Sequence, residues 1–354
     1  MRAGFSPWCV DLFADRDLRA MAPVHRCAPD RYPDAMLELL DVAPAGPVLL
    51  TGALENYTQF LDDVGQRRQL LGSTADAIRA VRSPTALCQI SPIEGLRLPQ
   101  VRDRNLSPSD QADGERDATP RWLIKPCRSA GGMGIHPWLD GRDSIPPEHI
   151  LQEYIAGTSI SAVFAADRDR ARLLGVTRQI IGESVFGVAD FRYCGSIGPM
   201  ALESAQEVAL AHLGASLARI FDLRGIFGVD AIIDNHRRVC PVEVNPRYTA
   251  SVEVLERFTH GAFLGPLDKI LDALITGSAM ACHGKAILFT KRDVHVSDLG
   301  NDVHADCLAD VPKVGAHIKA GAPICTIFAS GSDHASCLAR LCDLALKLYA
   351  VLGQ

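Results

Sequence analysis

The sequence lacks several features that would place it at a membrane or on a nucleic acid. It has no run of 18 or more apolar residues, so we expect no transmembrane helix. Residues Met1–Trp8 do not form a signal peptide with a long apolar centre, which favours a cytoplasmic protein. The net charge is −6 and no basic patch is visible, so nucleic acid is not an expected partner.

The cysteines also lack the spacing of a disulfide framework or a zinc site. There are 11 of them, scattered from Cys9 to Cys342, and no Cys-x-x-Cys pair occurs. We interpret them as reduced, mostly buried thiols of a cytosolic protein, because free cysteine packs as a small hydrophobe. A thiol nucleophile stays open as an alternative, but the pattern selects no single cysteine for that role.

Length and patterning predict several packed subdomains. The chain has 354 residues, of which 47% are apolar and 22% charged, a composition typical of globular proteins. In the first 100 residues, apolar runs that fit strands alternate with helical patterns, which predicts a small doubly wound α/β domain. The predicted strands are Trp8–Phe13 and Pro47–Gly52, and the predicted helices are Tyr32–Leu40 and Tyr57–Leu71. Thr51, Gly52 and Glu55 follow the second strand, where they either line a cleft or form an ordinary turn.

The rest of the chain predicts an α+β module after a polar connector at Ser107–Pro120. Its predicted strands are Arg121–Pro126, Ile150–Ile155, Ser159–Ala165, Arg172–Ile181, Gly225–Asp234 and Val239–Val244, with a helix at Ser204–Phe221. The turns of its two hairpins are predicted at Asp167–Asp169 and Asn235–His236. A C-terminal segment follows, with strands Lys285–Thr290 and Pro323–Phe328 and a helix at Cys337–Leu352. We therefore predict three parts, at residues 1–100, 101–282 and 283–354, of which the last packs back on the module.

A glycine-rich loop follows the strand that ends near Lys125. In Ser129–Gly134, the residues Gly131, Gly132 and Gly134 let backbone N–H groups approach an anion closely. A lysine just upstream adds a point charge for the same phosphates. The loop is neither a P-loop nor a dinucleotide fingerprint, because the spacing fits neither motif. A plain flexible turn explains it equally well on its own.

A second group of polar residues predicts a metal site. Glu243 and Asn245 lie two apart on a strand, so their side chains share one face. If that strand pairs with Gly225–Asp234, then Asp230 faces Glu243. Two carboxylates and an amide oxygen form the kind of site that Mg²⁺ takes, completed by water and phosphates. The alternative is a solvated strand face whose acids have no common role.

Arg247 follows at once and is expected on the same face. An arginine beside metal-bound phosphates can hold a carboxylate or stabilise a charged intermediate. The alternative is a structural ion pair with Glu253 or Glu256.

Taken in order, these motifs resemble the ATP-grasp superfamily, in particular its branch related to biotin carboxylase. The motifs are the Lys125 strand, the glycine loop, Gln152–Ile155, Gly228–Asp230 and the segment Glu243-Val244-Asn245-Pro246-Arg247. The resemblance spans nearly the whole chain and is sharpest between residues 121 and 256. It implies an ATP-grasp fold, α/β plus α+β, with a small doubly wound pre-ATP-grasp domain at the N-terminus.

The resemblance also implies roles for individual residues. Nucleotide contacts fall to Lys125, the loop residues Ser129, Gly131, Gly132 and Gly134, and the adenine hinge Glu153, Tyr154 and Ile155. Asp230, Glu243 and Asn245 are expected to hold Mg²⁺, with Mn²⁺ as a substitute. Arg247 and Lys125 are the expected catalytic residues. Arg247 and Arg178 are expected to contact the substrate, although Arg178 is equally well an ordinary surface arginine.

Two departures from the family pattern concern the nucleotide. No lysine precedes Lys125, so Arg82 is the candidate for the earlier basic contact. Ser159 stands where many members place an acid that holds the ribose.

The expected function is an ATP- and magnesium-dependent ligase that joins a small carboxylate to an amine, and a homodimer is compatible with the family. The alternatives are a phosphotransferase without ligation and a non-catalytic ATP-binding protein.

Overall fold

The computed structural model describes residues 4–102, 122–138, 145–167, 170–259, 261, 263–265, 270, 281–297, 299 and 304–354. The predicted connector Ser107–Pro120 and the turn residues 168–169 lie outside these ranges. Most of the strands form one eight-stranded sheet and one four-stranded sheet, and these two sheets position the candidate site.

The N-terminal part is a small α/β unit. Its elements are β1 (Cys9–Asp11), α1 (Arg16–Met21), β2 (Val24–Arg26), α2 (Ala35–Val42), α3 (Thr58–Arg67) and α4 (Ala75–Val81). The strands β1 and β2 pair in parallel, as an α/β unit requires. Helix α4 begins at Thr74, whose hydroxyl accepts from the backbone N–H of Ala77 at 3.3 Å and so caps the first turn.

The predicted strand at Pro47–Gly52 is wrong. Only Val48 pairs there, in an isolated bridge with Leu70. Pro47 has no N–H to give to a sheet, and Gly52 has a φ of +67°, which takes the chain out of the extended region. The parallel sheet of this part is therefore smaller than the sequence predicts, while the α/β plus α+β class is confirmed.

The eight-stranded sheet is antiparallel throughout and runs in the order β11-β10-β7-β8-β9-β12-β16-β14. Its strands are β7 (Gly157–Asp167), β8 (Arg170–Ile181), β9 (Tyr193–Gly198), β10 (Gly225–Asp234), β11 (Val239–Asn245), β12 (Cys282–Phe289), β14 (Leu308–Ala309) and β16 (Pro323–Gly331). The two predicted hairpins are present. Strand β9 was missed because Tyr193–Gly198 contains two glycines and a serine and shows no clear alternation.

Helix α5 (Ser204–Phe221) covers one part of this sheet, with the bounds that the sequence predicts. Its apolar stripe recurs every three or four residues, so Leu210, Leu213 and Leu217 are fully buried against β7, β8 and β10. Gly214 lets the helix approach the sheet, since a Cβ there would lie 2.5 Å from the ring of Phe164. A larger residue at position 214 would push the helix away from the sheet.

Two further helices pack on the sheet. Helix α6 (Ala250–Thr259) follows β11, and helix α7 (His334–Val351) covers β12 and β16 with Cys337, Leu341 and Leu348 fully buried. The C-terminal strands thus extend the central sheet, as expected for a segment that packs back on the module. The short strands β13 (Val294–His295) and β15 (His317–Ile318) pair with each other in antiparallel orientation and form a separate two-stranded sheet. The residue boundaries of the three parts stay a prediction.

The four-stranded sheet has the order β3-β6-β4-β5 and carries the glycine loop. Its strands are β3 (Val101–Arg102), β4 (Trp122–Pro126), β5 (His136–Pro137) and β6 (His149–Glu153). Trp122, Ile124 and Leu151 form its own small core. Lys125 lies near the end of β4, at the point where this sheet meets β11 of the large sheet.

Candidate functional site

The hairpin β10–β11 places the two predicted carboxylates opposite each other. Asp230 pairs with Glu243 and Gly228 pairs with Asn245, so the predicted register is confirmed. A β-bulge follows Asp230, because Ala231 pairs with Pro241 and leaves Val242 without a partner in this pair of strands. Bulges often occur beside active sites, where they redirect groups away from the ladder.

The bulge turns the Val242 carbonyl toward the four-stranded sheet. Lys125 Nζ lies 3.5 Å from this oxygen, and Gln152 Nε2 donates to it at 3.1 Å. Lys125 also donates to Gln152 Oε1 at 3.0 Å. The lysine is partly buried, and desolvation lowers its pKa, while the neighbouring Glu243 partly offsets this effect. Lys125 is therefore held against β11 by two acceptors, Gln152 Oε1 and the Val242 carbonyl.

Asp230 lies in a network of neutral hydrogen-bond donors. Gln179 Nε2 and Asn245 Nδ2 each donate to its carboxylate at 3.0 Å. Burial raises the pKa of Asp230 to about 6, and repulsion from Glu243 contributes to the same shift. Asp230 and Glu243 face each other across the hairpin, and a pair of carboxylates is a donor set that a divalent cation can use.

Glu243 accepts a hydrogen bond from a cation, whereas Asp230 accepts from neutral amides. Arg82 Nη1 donates to Glu243 Oε1, and Arg82 Nη2 donates to Asn56 Oδ1 at 3.2 Å. Burial would raise the pKa of Glu243, but Lys125 and Arg82 together hold it below its usual value. The carboxylate is therefore ionised at neutral pH. The predicted basic residue Arg82 lies in the same cluster as Lys125.

Arg247 also lies in this cluster, but its ion-pair partner is neither Glu253 nor Glu256. Its Nε donates to Glu55 Oε1 at 2.8 Å, and its Nη2 lies 3.5 Å from Asn245 Oδ1. Glu253 instead pairs with Lys285, whose Nζ is 2.9 Å from Oε2. Glu55, which the sequence places after a strand end, thus connects the N-terminal part to the predicted catalytic arginine.

The glycine loop lies over the edge of this cluster. Gly131, Gly132 and Gly134 have φ values of +60°, +74° and +75°, which favour glycine. Asn56 Nδ2 donates to the carbonyl of Ser129 at 3.2 Å, so one asparagine contacts both the loop and Arg82. The loop is thereby tied to the N-terminal part.

The predicted adenine hinge has one residue whose side chain is already used. The Glu153 carboxylate accepts from Arg97 and, at 3.1 Å, from the backbone N–H of Gln100. Tyr154 is 36% exposed and contacts Phe191 edge-to-face, while Ile155 is buried. The side chain of Glu153 thus stabilises this segment through its contacts with Arg97 and Gln100.

Arg178 and Ser159 are not brought into the cluster. Arg178 is exposed on β8, one residue from Gln179, so their side chains point to opposite faces of the sheet. It acts electrostatically on His334 at the start of α7 instead. Ser159 lies on β7 opposite Ile232 and is partly buried. Within the described residues, Ser159 thus offers no acid for a ribose. Arg178 does not lie beside Arg247.

Three residues of the cluster were missed by sequence reasoning: Asn56, Gln152 and Gln179. Each is a neutral amide whose partner is distant in the chain, by 73, 90 and 51 residues respectively. Gln152 precedes the predicted hinge, and its position inside an apolar strand was the one available indication, since buried amides need partners.

The ATP-grasp domain family matches residues 95–251, which include every site residue named above except Arg82, Glu55 and Asn56. The chain has the ATP-grasp fold, and this matched segment carries the family's domain. Over 219 residues it is 26% identical to an uncharacterized protein of Methanocaldococcus jannaschii, with 58% of this chain and 50% of that protein covered. The match therefore spans half the length of this curated relative.

Solved structures share this ATP-grasp fold over most of the chain. The L-amino acid ligase of Bacillus licheniformis has a TM-score of 0.65 and 14% identity, covering 96% of this chain and 97% of its own. The biotin carboxylase domain of the 2-oxoglutarate carboxylase of Hydrogenobacter thermophilus has a TM-score of 0.63 and 14% identity. That alignment covers 92% of this chain and 81% of the other, which was solved as a dimer with magnesium ADP and bicarbonate.

Two further predictions from the sequence concern the state of the cysteines and the lack of a transmembrane helix. All 11 cysteines are free thiols, but only five of them are buried, so the prediction that most are buried is wrong. Burial raises the pKa of Cys194 and Cys240 to about 11. Among the helices in the described ranges, none is both long and apolar enough to cross a membrane.

Proposed function

We propose that this ATP-grasp protein is an ATP- and Mg²⁺-dependent ligase that activates a carboxylate as an acyl phosphate. The observation that carries the proposal is the cluster of three cations, Lys125, Arg82 and Arg247, around the carboxylates of Asp230 and Glu243. Such a cluster positions phosphates and neutralises charge, and phosphoryl transfer requires little more from a protein.

The nucleotide is assigned to the cleft between the four-stranded sheet and β11. Arg82, Lys125, Ser129 and Glu243 line a cavity of about 80 Å³ there. Small-molecule sites usually have volumes of roughly 300 Å³ or more. We therefore expect the loop Ser129–Gly134 to move outward when ATP enters and to close over its phosphates. The hinge residues Tyr154 and Ile155 would contact the adenine through their backbone.

The metal is assigned to Asp230, Glu243 and Asn245. Mg²⁺ is usually bound by one or two carboxylates plus phosphates, and the two carboxylates and the amide oxygen here are of that kind. The raised pKa of Asp230 supports the same assignment. When bound, the ion would neutralise charge on the phosphates.

Two balanced steps make up the proposed reaction. A carboxylate oxygen of the substrate attacks the γ-phosphorus of ATP, the bond to the β-phosphate bridging oxygen breaks, and ADP leaves. An amine nitrogen then attacks the carbonyl carbon of the acyl phosphate, phosphate leaves, and the nitrogen loses a proton. Arg247 would hold the substrate carboxylate in the first step and stabilise the charged tetrahedral species in the second.

A Mg²⁺-dependent ADP-release assay tests the proposal. Purified protein is incubated with ATP and a panel of small carboxylates and amino acids, with and without amines. Glu243→Gln is the inactive variant, and Glu207→Gln, an exposed acid on α5, is the matched control. We expect release with the wild type and with Glu207→Gln, accompanied by an amide product.

The other outcomes separate the alternatives. A phosphorylated product without an amide would indicate a phosphotransferase, and ATP binding without release would indicate a non-catalytic protein. Activity that survives Glu243→Gln would show that the metal assignment is wrong.

A further inference from the structure

A second, larger cavity lies beside Arg247 and away from the nucleotide cleft. Its volume is about 350 Å³, and it is a partly open cleft between the N-terminal part and the start of β10. Leu50, Leu70 and Ile78 line one side and belong to the core of the N-terminal part. Ile226 and Phe263 line the other and belong to the core beneath α6.

The size and position of this cavity are those of a small-molecule site. Ligand sites have volumes of roughly 300 to 1,000 Å³, are mostly apolar, and occur at domain boundaries with a few polar groups. The cavity matches that description.

One charged side chain, Arg247, lies in the wall. Its guanidinium has five N–H groups. Within the described part of the chain, Glu55, the Tyr248 carbonyl and Asn245 account for three of them. Two N–H groups are left for an anion, and the planar guanidinium suits a carboxylate.

The other polar groups of the wall already have partners. The Ser73 hydroxyl contacts the backbone O and N of Arg224 at 3.3 and 3.0 Å. The Tyr248 hydroxyl donates to Glu256. A second charged group on a ligand would therefore be buried without compensation, which is costly.

From these contacts we infer that the cavity binds the apolar body of the carboxylate substrate, with its single carboxylate held by Arg247. The inference rests on the proposed ligase function and adds a substrate class to it. That class is monocarboxylic acids with an aliphatic or small aromatic body. Dicarboxylates and acids with a second charge are excluded.

Calorimetric titration with straight-chain monocarboxylates tests this directly. The full chain is titrated with propionate, butyrate, pentanoate and hexanoate, with and without Mg²⁺ and a non-hydrolysable ATP analogue. We expect the Kd to fall about fourfold per added methylene until the cavity is full. Adipate, which has the length of hexanoate and a second carboxylate, should bind more weakly by about tenfold or more.

Leu49 provides variants that should fold. It lines the cavity and is 37% exposed, so a change in its size does not disturb the core. Leu49→Trp should weaken hexanoate binding by about tenfold while leaving propionate unchanged, and Leu49→Ala should extend the chain length that binds best. Leu346 of α7 is 57% exposed. Leu346→Trp is the matched control and should change the binding of neither hexanoate nor propionate.

Equal affinity for hexanoate and adipate, no dependence on chain length, or no effect of Leu49→Trp would each overturn the inference. Because the titration needs no turnover, it separates this inference from the ligase proposal. Ligase activity with charged acids alone would overturn the inference and leave the proposed function intact. Apolar acids that bind without ADP release would support the inference and contradict the proposed ligase function.

Discussion

Arg82 of the N-terminal part forms an ion pair with Glu243 on β11, although 161 residues separate them in the chain. The guanidinium is only 13% exposed, and the carboxylate is 32% exposed. This contact joins the end of α4 to the predicted metal strand. It also lowers the pKa of Glu243, against the effect of burial and together with Lys125.

Replacing Arg82 should therefore affect both stability and ATP binding. In Arg82→Gln, the mostly buried Glu243 loses one of its three neighbouring cations, and we expect a loss of about 1–3 kcal/mol in the free energy of unfolding. ATP affinity should fall by about tenfold or more if Arg82 contacts a phosphate, as proposed above. Urea unfolding and equilibrium ATP binding measure the two effects.

Arg79→Gln is the matched control for Arg82→Gln. Arg79 lies one turn earlier on α4 and pairs with Asp62 and Asp76 at the surface. Exposed pairs of this kind contribute about 0–1 kcal/mol, so stability and ATP binding should hardly change. Equal effects of the two substitutions would show that the position of Arg82 has no special role.

The glycine loop offers a second matched pair, Gly131→Ala and Gly132→Ala. Both glycines have positive φ values, so both substitutions carry the same kind of backbone strain of about 1 kcal/mol. At Gly131 a Cβ meets nothing within 4 Å, whereas at Gly132 it would lie 1.9 Å from the carbonyl oxygen of Phe191.

We expect Gly132→Ala to displace the loop and to weaken ADP and ATP binding by about tenfold, against about threefold for Gly131→Ala. Calorimetric titration with each nucleotide measures this difference. If the two variants bind nucleotide equally, the contact between the loop and Phe191 does not control the phosphate site.

The register of Asp230, Glu243 and Asn245 could be predicted from the sequence because the pattern is local. Glu243 and Asn245 share a face by alternation, and one hairpin register brings Asp230 opposite. By contrast, the partner of Arg247 could not be predicted. The nearby acids Glu253 and Glu256 were the local choices, but Glu55 lies 192 residues away and meets Arg247 only after the two parts pack together.

The same distinction explains the fold. Helix α5 was predicted with its exact bounds because an apolar stripe runs through 18 residues and defines its buried face. The strand predicted at Pro47–Gly52 failed because a strand also needs a partner, and only Val48 has one there. The large cavity was not predicted, since its wall combines residues from two separate cores.

Glu153 should matter for stability more than for nucleotide binding. Its carboxylate is 10% exposed and accepts from Arg97 and from the backbone of Gln100. In Glu153→Gln the ion pair is lost, and we expect a cost of about 1–3 kcal/mol in unfolding free energy. The Kd for ATP should stay within about threefold, because the proposed adenine contacts at the hinge are made by backbone groups. A large loss of ATP affinity at unchanged stability would instead place the side chain in the nucleotide site.

Asp15, at the start of α1, predicts a pH-dependent stability. Burial raises its pKa to about 6, and Asp310, Asp11 and Asp17 add to the shift. A carboxyl whose pKa is higher in the folded state stabilises the protein below its unfolded pKa, near 4, and loses this contribution as the pH rises through about 6.

Asp15→Asn removes the charge and should therefore raise the melting temperature at pH 8 and leave it unchanged at pH 4. After allowance for solvent screening of this half-buried group, the gain at pH 8 should be at most about 1 kcal/mol. Thermal unfolding across this pH range measures it, with Asp343→Asn on the exposed side of α7 as control. A gain that is the same at both pH values would mean that the substitution acts through packing rather than through the charge.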